Sequence, residues 1–218
     1  MSFNIKSFMP FHILTLLLFT YAGFGQDPII FDKLDHSTIP SDIKYEGVVI
    51  EAISWNEGGI DHIVVITETG VYQSDKFEHE NEGLDAELFA YHYSIVDNNY
   101  QRVWKIYDYM SDCPVDIEAS FIRNTLQLTD LNENGIAEIW LIYKTACRGD
   151  VSPSDMKVIM YEAFQKYAMR GQNKVQLSDD EVYGGEYTFN RTFLDGPIKF
   201  RIFAKELWDK NILQVWGE

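Results

Sequence analysis

Between Asp130 and Asp155 the chain reads DLNENGIAEIWLIYKTACRGDVSPSD, and several signals for chemistry overlap there. The first is a cation loop. Asp130, Asn132, Asn134 and Glu138 place side-chain oxygens at positions 1, 3, 5 and 9, Ile136 offers a backbone carbonyl at position 7, and Gly135 stands at position 6, where the chain must turn sharply. Oxygen donors at that spacing suit a hard cation, so calcium is the cofactor this set would take. An EF-hand also needs a bidentate glutamate at position 12, which here is Leu141, and the segment that follows has the pattern of a strand rather than a helix. The loop is closer to the calcium turns of integrin-type propeller repeats, which carry aspartate at positions 1, 3, 5 and 9. Two Asn and one Glu in those places lower the ligand charge and the pull on a cation. The competing reading is a bare Asn-Gly hairpin turn that needs no metal.

The second signal is Arg148-Gly149-Asp150, an integrin-type tripeptide. A three-residue match is common by chance, and beside Cys147 and Ser152-Pro153 a structural loop is the better reading. Asn190-Arg191-Thr192 fits the glycosylation pattern on equally little information. No GxSxG, HExxH or glycine-rich phosphate loop is present, and His36, His62, His79 and His92 are far apart in sequence. Two of the 34 acids could meet as a glycosidase pair, but nothing in the sequence selects which. No catalytic residue is therefore assigned.

The compartment follows from the first 26 residues, MSFNIKSFMPFHILTLLLFTYAGFGQ: a lysine, an apolar run from Phe11 to Phe19, then small residues before Gln26. This predicts a signal peptide over residues 1–25, cleaved after Gly25, because the apolar run is about half the roughly 20 residues that span a bilayer. An exported protein, periplasmic or at the cell surface, is expected, with no membrane span once the leader is gone. Residues 1–25 hold one lysine and no acid, so their removal takes the formal charge from −16 to −17. So acidic a chain is repelled by phosphate backbones, which argues against nucleic acid as a partner. Cys113 and Cys147 are the only cysteines, an even number in an exported chain, and are expected to form a disulfide; a soft metal pair or a reactive thiol are the alternatives.

The elements that must position these residues read as mainly β. Residues 26–218 are of ordinary single-domain length, with no linker dividing them. YEGVVIEAISW, NEGG, IDHIVVIT, ETG and VYQS alternate strand and turn; ELFAYHYSIV and YQRVWKIYDY flank DNN. NTLQLTD pairs with AEIWLIYKT across Asn132–Gly135, and KVIMYEA with KYAMRG across Phe164–Gln165. Serial antiparallel hairpins result, as a twisted meander or a partial propeller. One amphipathic helix is expected near the C-terminus, with Asp195-Gly196 as cap and lead-in, Pro197 in the first turn, and Phe200, Phe203, Ala204, Leu207 and Trp208 as its apolar stripe.

Taken together, DCPVDIEASFI, LTDLNENGIAEIWLIYKTACRGDVSPSDMKVIMYE, KYAMRG and AKELW resemble a family of exported Bacteroidota proteins labelled as surface polysaccharide biosynthesis proteins. The likeness covers most of the chain after the leader and is densest between Asp112 and Gly171, but brings no established reaction or catalytic residues. It implies a role in making or maintaining lipopolysaccharide or capsule. Two functions follow as expectations: a non-catalytic accessory or binding protein whose partner is an envelope glycan or an envelope biogenesis protein, or a periplasmic glycoside hydrolase-like enzyme with unrecognised acidic residues.

Overall fold

The computed structural model of the chain describes residues 29–215; the leader expected over residues 1–25 lies outside them. Two antiparallel sheets dominate. The first runs β1 (Asp32–Lys33), β2 (Val48–Glu57), β3 (Ile60–Tyr72), β4 (Leu84–Val96) and β5 (Asn99–Cys113), each strand paired with the next. Its two tight turns have positive φ at both central residues, Gly58-Gly59 and Asp97-Asn98, the backbone that matches the twist of the flanking strands. The second sheet contains β6 (Asp116–Phe121), β7 (Gln127–Thr129), β8 (Glu138–Arg148), β9 (Asp155–Glu162) and β10 (Gln165–Gln172). After β11 (Lys174–Gln176) and β12 (Val182–Gly184), β13 (Tyr187–Phe189) joins its edge, giving the order β13-β10-β9-β8-β6, with β7 also on β8. The helices α1 (Arg191–Asp195) and α2 (Ile198–Asn211) follow, and β14 (Leu213–Val215) forms a small third sheet with β11 and β12.

Strand alternation builds three packed layers of side chains. Ile53, Val64, Ile66, Leu88, Trp104 and Ile106 of the first sheet meet Phe121, Ile139, Leu141, Ile159 and Tyr161 of the second in a shared core. The residues between them point the other way: Ile63, Val65, Phe89 and Tyr91 are covered by the segment around Leu34, Ile39 and Ile43. On the second sheet, Trp140, Ile142, Val158, Met160 and Met169 pack on Phe200, Ala204, Leu207 and Trp208 of α2. Burial on both faces is why AEIWLIY reads as a continuous apolar run rather than an alternating one. Phe200 and Trp208 are fully buried, each contributing on the order of 1.5–3 kcal/mol.

Three details differ from the sequence reading. Glu68-Thr69-Gly70 is not a turn: β3 passes through it with a bulge between Glu68 and Val71, and VYQS begins as the end of the same strand. Glu68 is held in line by the end of β6 and the segment beyond it, accepting from the Phe121 amide at 2.7 Å and from Arg123 at 3.0 Å. On the edge of β8 away from β9 the longer partner is β6, with six residues, whereas the expected NTLQLTD strand contributes three. Pro197 is the N-cap of α2 rather than a residue of its first turn, because Asp195 closes α1, a five-residue helix that the apolar spacing does not reveal.

Candidate functional site

The Asp130 loop folds on its own donors. The Asp130 carboxylate accepts from the Asn134 and Gly135 amides, each at 3.0 Å, and Asn134 Oδ1 accepts from the Ile136 amide at 2.8 Å. Asn132 Oδ1 accepts from the Asn134 amide at 3.2 Å. Glu138 is fully buried and accepts from the Leu131 amide at 2.8 Å and from Thr129 Oγ1 at 2.5 Å. Burial pushes its carboxyl up, against the lowering effect of those donors. The side-chain oxygens of Asp130, Asn132, Asn134 and Glu138 thus all accept from backbone amides. Among the described residues no group of three or more His, Cys, Asp and Glu is arranged to hold a metal.

The loop also positions neighbours. Asn132 Nδ2 and Asn134 Nδ2 both donate to Glu162 Oε1, at 2.5 and 2.8 Å, which ties the loop to the end of β9. The Ala137 amide donates to Glu57 Oε2 at 2.6 Å, which ties it to the end of β2. Between these ties lies a pocket of about 170 Å3, lined by Ile136 and Ala137 of the loop, Ile139, Ala163 and Phe164 of the second sheet, and Trp55, Glu57, Ile60, His62, His92, Ser94 and Val103 of the first. Phe164, at the β9–β10 turn, is 78% exposed, a large apolar side chain held out at the rim.

The polar chemistry of this pocket comes from strand register. Trp55 sits opposite His62 across the β2–β3 hairpin, and His92 opposite Trp104 across β4–β5. The rings form a row: Trp55 stacks on His62 at 5.0 Å and on His92 at 5.3 Å, His92 meets Trp104 at 5.2 Å, and Trp104 stacks on Tyr161 of β9 at 4.4 Å. His62 Nδ1 and His92 Nε2 are 2.9 Å apart, a hydrogen bond. His92 is buried, which together with the neighbouring His62 lowers its pKa to about 3, and burial lowers that of His62 as well. Both imidazoles are therefore neutral at ordinary pH. His92 Nδ1 is buried without a partner, as are the indole nitrogens of Trp55 and Trp104.

An orphaned N–H costs more than an orphaned lone pair, so the network favours the tautomer in which His92 Nδ1 is bare and His92 Nε2–H donates to His62. His62 Nε2–H is then left free. The pocket accordingly offers the His62 Nε2–H as a donor beside aromatic and aliphatic walls, with Glu57 the one carboxylate in its lining.

The other signals are absorbed by structure. Arg148 donates to Ser152 O at 2.7 Å, to Ser154 Oγ at 2.5 Å and to Glu118 at 3.3 Å, while Asp150 accepts from the Ser152 amide at 2.9 Å, so the tripeptide is a braced loop. Asn190 caps α1, accepting from the Phe193 amide at 3.1 Å and from Ala168 at 3.2 Å. Cys113 and Cys147 are bridged, with Cα atoms 5.7 Å apart, joining the end of β5 to β8. The buried carboxylates serve the fold: Asp85 accepts from the Ser74 and Asp112 amides and pairs with His79, and Glu87 accepts from Tyr107 and Tyr72 beside Lys76. A second aromatic row, Phe77, Tyr109, Tyr107 and Phe89, crosses the outer face of the first sheet. Its hydroxyl at Tyr107 is taken by Glu87 and its Phe89 ring is covered by Lys105, so it offers less to a ligand.

The sequence did not single out Trp55, His62 or His92, which come from three strands. Comparison with family models, curated proteins and solved structures finds no match to this chain.

Proposed function

We propose that this is an exported, non-catalytic binding protein of envelope polysaccharide biogenesis, and that the pocket under Phe164 receives one sugar unit of a glycan. The observation that carries this reading is the union of the stacked Trp55 indole and the His62 and His92 imidazoles, with the free His62 Nε2–H, in one small pocket. Aromatic rings cover the apolar face of a sugar while N–H groups meet its oxygens. At about 170 Å3 the pocket lies below the roughly 300–1,000 Å3 of drug-sized sites, so it suits one terminal group with the rest of the ligand outside. Export is supported by the leader-like N-terminus and by the disulfide, which persists in oxidising compartments.

A glycoside hydrolase would need a second carboxylate about 5–10 Å from the first, and the pocket lining supplies only Glu57. Screening the purified protein against envelope glycans for both binding and bond cleavage tests the proposal. Binding lost in Trp55→Ala without any cleavage is expected. Reproducible cleavage abolished by Glu57→Gln would replace the binding reading with an enzymatic one.

A further inference from the structure

In a chain with 18 Lys and Arg against 34 Asp and Glu, a convergence of cations stands out. Lys157, on β9, lies directly opposite Arg170, on β10, and Lys166 projects from the same face of β10. That face is set by Ile159, Tyr161 and Ala168, which alternate with these residues and belong to the core shared with the first sheet. Beyond the core, the same face becomes basic. Lys166 Nζ lies 5.9 Å from the Tyr161 ring centre and Lys157 Nζ lies 5.4 Å from that of Tyr143.

Like charges directly opposite on neighbouring strands destabilise a sheet. Here a single carboxylate enters among them: Asp108 of β5 pairs with Lys157 and accepts from the Tyr143 hydroxyl at 2.9 Å. Three cations against one carboxylate leave two positive charges in excess. Asp155, the next acid on that face of β9, makes no ion pair with any of the three among the described residues. Burial first, then the Arg170 charge and to a lesser degree that of Lys157, depress the Lys166 pKa against the raising effect of Asp108.

We propose that Lys157, Lys166 and Arg170 form a binding site for an oxyanion, a carboxylate or a phosphate carried by a larger ligand. The planar guanidinium of Arg170 matches either group in bidentate fashion, and the ammonium groups of Lys157 on β9 and Lys166 on β10 add point charges beside it. The site is distinct from the sugar pocket and does not depend on its reading. The two share one aromatic row, since Tyr161, under Lys166, stacks on Trp104, which meets His92 of the pocket. A ligand bearing acidic groups beside neutral sugars could span both.

The test is binding of the purified chain to oligogalacturonate, to inorganic polyphosphate and to a neutral glucan of similar length, at low and high salt. The expected result is salt-sensitive binding of at least one anionic probe and none of the neutral one, weakened about tenfold or more in Arg170→Gln and in Lys166→Gln. Preference between the two anions names the oxyanion. A purely structural role is separated by thermal melting: both variants should melt no lower than the parent, because each relieves like-charge repulsion. Arg170→Lys should restore part of the binding. Failure of both anions to bind, or equal binding by the Gln variants, would overturn the site.

Discussion

His62 Nδ1 and His92 Nε2 face each other at 2.9 Å, so two neutral imidazoles share one bridging proton across neighbouring strands. The buried partner cannot take a second proton without placing a charge among Trp55, Trp104 and the shared core.

This sets the acid response of the fold. His92 titrates at 6.5 when unfolded and near 3 in the folded chain, so between those values the unfolded state binds the extra proton. Its contribution to stability is complete above about pH 6.5 and is lost as pH falls toward 3, at about 1.4 kcal/mol for each pH unit crossed. The fold should therefore weaken from pH 6.5 downward. His92→Phe, which keeps a ring in place and removes the titration, should flatten that part of the profile in denaturant melts.

The Asp130 loop should fold without calcium. Asp130→Ala removes the acceptor of the Asn134 and Gly135 amides and is expected to cost about 1–2 kcal/mol, with or without the metal. Calorimetric titration should show no heat of calcium binding in either protein. A heat present in the parent and absent in the variant would support the cation-loop reading over the bare turn.

The Cys113–Cys147 bridge closes a separation of 34 residues. The loop-entropy relation gives about 3–4 kcal/mol for a closure of this length. Replacing both cysteines by Ala should lower stability by that amount, and mass spectrometry of the unreduced exported protein should find no free thiol.

Glu162 links the loop to the rim of the pocket, since both Asn132 and Asn134 donate to it and Phe164 lies two residues on. Glu162→Ala should weaken glycan binding several-fold while leaving the melting midpoint within a few degrees of the parent. Unchanged binding would detach the loop from the site.

Much of the fold was legible because its hairpins are local. Gly58-Gly59, Asp97-Asn98 and Asn134-Gly135 mark turns whose flanking strands follow from apolar runs, and the stripe from Phe200 to Trp208 fixed α2. β6 was missed because DIEASF is short and pairs with β8 only after an intervening segment, and Glu68-Thr69-Gly70 imitates a turn where tertiary contacts straighten the strand. The pocket was partly readable: a two-residue turn at Gly58-Gly59 places Trp55 opposite His62 by counting alone. His92 was not, since its approach depends on the pairing of β3 with β4 across an eleven-residue connection and its position opposite Trp104 on a bulge in β5. At the Asp130 loop, spacing gives the position of the oxygens but not which amides donate to them.

The most direct measurement of the central claim follows the Trp55 indole N–H and the His62 imidazole by NMR during titration with an envelope glycan that the protein binds. The account predicts that both signals shift in step with binding, that the His92→Phe variant alters the His62 response, and that the glycan is recovered uncleaved. A glycan that binds while both signals stay fixed would place the sugar elsewhere and contradict it.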